Sequence, residues 1–129
     1  MPTSTRRIMI IEDSPTMTQL YRIVLGQEEG RELVFAANGL EGLDLAAQEP
    51  DVDLFIVDIN MPYVDGLEFL RRLRGELGVT ETPAVVVSTE GEEADREAAL
   101  AAGANAFLRK PWKPAQLLDL VRSLSAAAP

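Results

Sequence analysis

The stretch "DLFIVDINMPYVDGLEFLRRLRGEL", Asp53 to Leu77, holds the fold in outline. Leu54, Phe55, Ile56 and Val57 run without a polar break, as a strand buried on both faces requires. After a turn, Leu67, Leu70, Leu73 and Leu77 recur at helical spacing. The strand ends in Asp58, a carboxylate carried by a core element, and its presence there demands a reason.

The same unit recurs on either side. Upstream, "RIMII" (Arg7 to Ile11) reads as a buried strand, and "PTMTQLYRIVLGQEE" as a helix with Met17, Leu20, Tyr21, Val24 and Leu25 on one face. Pro15 suits its first turn, with Asp13 or Ser14 as the cap. "ELVFAA" is a weaker strand and "NGLEGLDLAAQE" a helix. Downstream come the strand "PAVVVS", the acidic helix "EEADREAALAAG" ended by Gly103, the strand "NAFLRK" and the helix "PAQLLDLVRSLSAA". Five strand–helix units of this kind predict an α/β fold, a doubly wound five-stranded parallel sheet. The flavodoxin-like (βα)5 strand order 2-1-3-4-5 is expected, with right-handed crossovers.

Composition sets outer bounds. The 129 residues suit a single domain over 1–129, with its core at about 6–125 and no output domain. A net charge of −9 argues against nucleic acid as a partner. No cysteine means no disulfide framework and no thiolate metal site, and no histidine removes zinc–histidine sites, Ser-His-Asp triads and a phosphohistidine carrier role. No apolar stretch is long enough to span a bilayer, so no membrane insertion is expected and the chain reads as cytoplasmic.

In open α/β sheets the site lies beyond the C-terminal strand ends, at the switch in strand order. The strand ends here are Glu12 and Asp13, Asp58, Ser88 and Thr89, and Arg109 and Lys110. Taken singly, each has a plain structural role: Asp13 as a helix cap, Glu12 as acidic surface, Ser88 as a solvated turn residue, Lys110 as surface. Taken together they bring three carboxylates, a hydroxyl and an ammonium to one edge. Clustered carboxylates repel unless a cation joins them. Such oxygen ligands suit Mg²⁺. A carboxylate can also act as a nucleophile toward phosphorus, in a reaction that needs mainly positioning and charge neutralisation.

With "IIEDS", "VDINMPYVDG", "VVVSTE" and "LRKPW" in this order and spacing, the whole chain resembles a response-regulator receiver domain of two-component signalling, close to the single-domain chemotaxis-regulator type. The resemblance implies that Asp58 is the phosphoacceptor. It makes Glu12, Asp13, Asp58 and the backbone carbonyl of Asn60 the Mg²⁺ ligands, Lys110 and Ser88 the groups that meet the phosphoryl oxygens, and Ser88 and Phe107 the switch pair. It also implies a cis Lys110–Pro111 bond and a turn with Pro62 and Gly66. Two positions depart from the common pattern. Glu12 stands where aspartate is more usual. Thr89 stands where Ala or Gly is usual, and would crowd the opening. Asn60, Thr89 and Glu90 are expected to modulate phosphoryl lifetime, with Asn60 and Glu90 outweighing Thr89 and giving a short-lived phosphoryl group.

The implied partners are a sensor histidine kinase or phosphotransfer protein, a downstream protein target and a phosphatase, around a monomer or weak dimer. The implied role is signalling with self-phosphorylation and autodephosphorylation rather than metabolic catalysis. The output is a change on the face made by the fourth helix, fifth strand and fifth helix. Trp112 lies near that face, where core packing and partner contact are equally open. A flavin carrier would meet repulsion between its phosphate and Glu12 and Asp13. An aspartate-nucleophile phosphatase would want an acid where Asn60 stands. A docking module that accepts no phosphate has no need of the full site.

Overall fold

The computed structural model describes residues 6–49, 51–59, 64–89 and 93–127. Chain order is β1 (Arg7–Ile11), α1 (Pro15–Leu25), β2 (Glu32–Ala36), α2 (Gly39–Gln48), β3 (Leu54–Asp58), α3 (Gly66–Gly75), β4 (Ala84–Ser88), α4 (Glu93–Ala102), β5 (Ala106–Arg109) and α5 (Pro114–Ala127). The strands form one parallel sheet in the order β2-β1-β3-β4-β5, as the repeat of strand and helix predicts. Among the described residues no helix is long and apolar enough to cross a membrane.

Strand parity divides the core in two. Met9, Ile11, Phe55, Val57 and Val86 face α2, α3 and α4, where Phe69, Leu70, Leu73 and Ala99 meet them. Ile8, Ile10, Leu54, Ile56, Val85 and Val87 face α1 and α5, and pack on Tyr21, Val24, Leu25, Leu117 and Val121. Every residue of β3 and β4 is buried. This is why Leu54 to Val57 show no alternation: helices cover both faces.

Two helical readings shift at their margins. Leu77 is 38% exposed and lies past the end of α3. Its N–H and that of Glu76 both reach Arg72 O, and Gly78 follows at φ 70°, so the chain turns out of the helix there. Leu20 is 36% exposed, at the rim of the α1 stripe that Tyr21, Val24 and Leu25 bury.

At the pole opposite the C-terminal strand ends, Arg74 ties α3 to two loops. Its guanidinium donates to Val79 O (2.9 Å), Thr82 O (2.7 Å), Gly103 O (3.1 and 2.9 Å) and Asn105 Oδ1 (3.2 Å). Burial holds its pKa below the ordinary arginine value, with Glu81 pulling the other way. A lysine cannot reproduce this fork. Arg74→Lys is therefore expected to cost about 1–2 kcal/mol and Arg74→Ala slightly more, since several partly buried carbonyls lose a charged donor. Urea unfolding measures it, and an Arg74→Lys midpoint equal to the wild type would remove the assignment.

Candidate functional site

Register brings the polar strand ends level. Ile11 pairs with Val57, Asp58 with Val87, and Ser88 with Arg109. Just past the strands, Glu12 N–H donates to Ala36 O (2.9 Å), Ile59 N–H to Val87 O (3.0 Å) and Lys110 N–H to Ser88 O (2.7 Å). The backbone carrying each side chain is thus pinned to its neighbour strand.

Glu12 and Asp58 are 4% and 5% exposed, and Ser88 is fully buried. Lys110 Nζ donates to Glu12 Oε1 and to Asp58 Oδ1, both at 3.2 Å. Ser14 N–H donates to the other Glu12 oxygen at 3.1 Å. Ser14 Oγ also accepts from Met17 N (3.3 Å) and so caps α1, with Pro15 in the first turn. Of the two capping options, Ser14 is the one used, and the Asp13 carboxylate is left exposed beside the pocket. Glu12, Asp13 and Asp58 each offer an oxygen within 4.8 Å of the others.

Three carboxylates facing one ammonium leave a formal −2 (−3 + 1) when all are ionised. The Glu12 carboxyl is accordingly pushed above its ordinary value, by burial first and then by Asp58, against the pull of Ser14 N–H and Lys110. Burial alone would lower Lys110, but Glu12 and Asp58 outweigh it and hold the ammonium more firmly. One more cation would offset that charge, and the hard oxygen donors could hold a small divalent ion. They also pose an acidic oxygen, on Asp58, beside a fixed positive charge.

Ser88 and Phe107 follow the parity of Val86, toward α3 and α4, where Phe107 is partly buried against that half of the core. A hydroxyl at a strand end and an aromatic ring one strand away thus share a face. Neither Ser88 nor Lys110 keeps the plain role open to it: Ser88 is sealed from solvent and the Lys110 side chain is 13% exposed. Thr89 is exposed at the rim. The Lys110–Pro111 bond is cis, as the resemblance implies. Asn60, Pro62 and Glu90 lie outside the described residues, so the Asn60 carbonyl ligand and two of the three modulating positions have no geometry here.

Trp112 is 5% exposed, with its ring centroid 5.2 Å from that of Tyr21. The choice left open for it closes in favour of core packing. The Tyr21–Trp112 pair and the Ser14 N–H on Glu12 are the parts of the site region that sequence reasoning did not find. The first joins residues far apart in the chain and leaves no local signal; the second lay in the "EDSP" string, where a cap two residues past an acid could have suggested it. A cleft of about 420 Å³ opens at the other end of the strands, among Arg6, Arg7, Gly30, Glu32, Asp51 and Asp53. Arg7 there is paired with Glu32 and with Glu49 (2.9 Å), so that cleft is not the acidic pocket's counterpart.

The model of the response regulator receiver domain matches residues 8–122. The chain is 33% identical over 113 residues to the chemotaxis protein CheY homolog of Campylobacter jejuni, spanning 88% of this chain and 87% of that one. It is 31% identical over 121 residues to protein PilH of Pseudomonas aeruginosa, spanning 93% and 98%. The solved structure of chemotaxis protein CheY4 of Vibrio cholerae superposes with a TM-score of 0.84 at 30% identity, over 94% of this chain and 99% of that one.

Proposed function

The chain belongs to the response regulator receiver domain family, and from that premise we propose that Asp58 takes a phosphoryl group from a histidine kinase or phosphotransfer protein. The observation that carries the reading is the strand-end Asp58, nearly buried, with Lys110 Nζ at 3.2 Å and the acidic pair beside it. An Asp58 oxygen bonds to phosphorus as the phosphorus–nitrogen bond of a phosphohistidine breaks, the electron pair staying on the imidazole nitrogen. Lys110 turns from the carboxylate toward the phosphoryl oxygens, and Ser88 donates its hydroxyl to one of them. Glu12, Asp13, Asp58 and the Asn60 carbonyl would hold Mg²⁺, which neutralises phosphoryl charge when bound. Water attack at phosphorus later breaks the bond to Asp58, returning the carboxylate and inorganic phosphate.

Phosphorylation adds about one to two negative charges at Asp58. Ser88 moves toward them, Phe107 turns into the space behind, and the α4–β5–α5 face changes its affinity for a downstream protein. A phosphatase partner, a monomer or weak dimer and a cytoplasmic setting go with this reading. Chemotaxis or another form of motility control is proposed as the pathway, because two of the relatives carry chemotaxis names.

The metal is open to direct test. Mg²⁺ is expected to raise the melting temperature, because it relieves repulsion among Glu12, Asp13 and Asp58. A ligand at 100 times its Kd adds about 2.7 kcal/mol by mass action. Asp13→Ala should weaken binding at least about tenfold, with its first effect on affinity rather than on fold, since Asp13 is exposed and is not the α1 cap. Glu12 with its raised pKa binds a proton more readily in the folded state, so the metal-free protein loses stability as pH rises through the Glu12 titration. Mg²⁺, which needs the carboxylate, should bind better over that same rise. Calorimetric titrations superimposable for wild type and Asp13→Ala would remove the metal from this account.

A further inference from the structure

Lys110 stands on the short turn between β5 and α5, and its reach to Asp58 depends on how that turn is held. Of the turn's four residues, Pro111 and Lys113 are exposed and Lys110 is partly so; Trp112 alone is buried. Its ring lies against Tyr21, tilted 40°, and both rings belong to the half of the core formed with α1 and α5. Asp58 continues the parity of Leu54 and Ile56 into that same half. Tyr21 is on α1, the helix that starts directly after Glu12 and Asp13. The aromatic contact therefore joins the turn carrying the ammonium to the helix that follows the acidic pair. Its second feature is polar: the buried indole N–H meets no hydrogen-bond partner among the described residues. A phenylalanine would fill the site without that unmet donor.

We propose that Trp112, seated on Tyr21, is a positioning residue for phosphoryl transfer: it fixes the turn so that Lys110 Nζ stands against Asp58. The inference rests on the phosphoacceptor reading. Without a ring at 112, the turn keeps the backbone bond from Lys110 N–H to Ser88 O but loses its only buried side chain. The ammonium then samples positions away from Asp58. Glu12, Asp13 and Asp58 sit on other elements, so the change reaches them only through the ammonium they share.

The test follows acetyl phosphate labelling of Asp58 alongside Mg²⁺ binding by calorimetry. Trp112→Leu should slow labelling about tenfold or more, since small misplacement of a charge-stabilising group is enough for that. Its Mg²⁺ affinity should not fall by more than about twofold, and Trp112→Phe should restore most of the rate. Added to Lys110→Ala, Trp112→Leu should slow labelling no further, because both act on one ammonium. Should Trp112→Leu fail to fold, Tyr21→Leu attacks the same contact from α1 and should show the same split. Wild-type labelling rates in a folded Trp112→Leu or Tyr21→Leu protein, or additive losses in the double variant, would overturn the proposal. No label on the wild-type protein would instead overturn the phosphoacceptor reading.

Discussion

Asp58→Asn is expected to abolish covalent labelling by acetyl phosphate and by a phosphorylated histidine kinase, while the protein stays folded. An amide has the carboxylate's shape but is not a nucleophile toward phosphorus under these conditions. The fold should not suffer. Asp58 is a central-strand residue whose backbone pairing with Val87 does not involve the side chain, and the amide oxygen can still accept from Lys110. Stability without metal should rise, because a buried carboxylate beside Glu12 disappears. The same change should flatten the pH dependence that Glu12 gives, since Asp58 is one cause of its raised pKa. Mass spectrometry of phosphodonor-treated protein reads the outcome. Full labelling of Asp58→Asn, lost on changing Glu12 or Asp13 instead, would move the acceptor to another acid.

Much of this site could be read from the chain because each of its parts ends a strand. An unbroken apolar run identifies a strand covered on both faces, and parallel register then aligns the run's last residue with those of its neighbours. Asp58 and Ser88 were legible in that way. Helical margins were less so. Periodicity alone gives Leu20 and Leu77 the same weight as Tyr21 and Leu73, since it records spacing and not where a stripe meets its rim or a helix turns out. Choices between neighbours, such as Asp13 and Ser14 for the cap, turn on a single oxygen's position. Contacts between distant segments were not legible at all. Arg74 reads as one more basic residue on an amphipathic helix, although it binds two loops. Trp112 reads as a residue near a binding face until its burial against Tyr21 is known.

Gly66→Ala is expected to destabilise the protein by about 3 kcal/mol, the upper part of the usual range for overpacking, where Gly→Ala in a helix ordinarily stabilises. Gly66 opens α3, and its N–H donates to Ile59 O at 3.2 Å. A Cβ there would lie 2.3 Å from Asp58 O and 2.9 Å from Asp58 C and Ile59 Cα. Relieving that takes a shift of about 1 Å, given carbon contacts of about 3.5 Å. The strand resists: β3 is central, buried on both faces and pinned beyond Asp58 by Ile59 N–H on Val87 O. The helix resists too, because Phe69, Leu70 and Leu73 are fully buried beneath it. Whichever yields, the carbonyl end of Asp58 moves, so labelling should fall along with stability. Gly75 supplies the contrast within the same helix. A Cβ there meets nothing within 4 Å, so Gly75→Ala should be neutral or stabilising by up to about 1 kcal/mol and should leave labelling alone. Urea unfolding and phosphodonor kinetics on the two variants decide the matter. Equal stabilities would mean that α3 is not pressed against the proposed phosphoacceptor, and that Gly66 is only a turn residue.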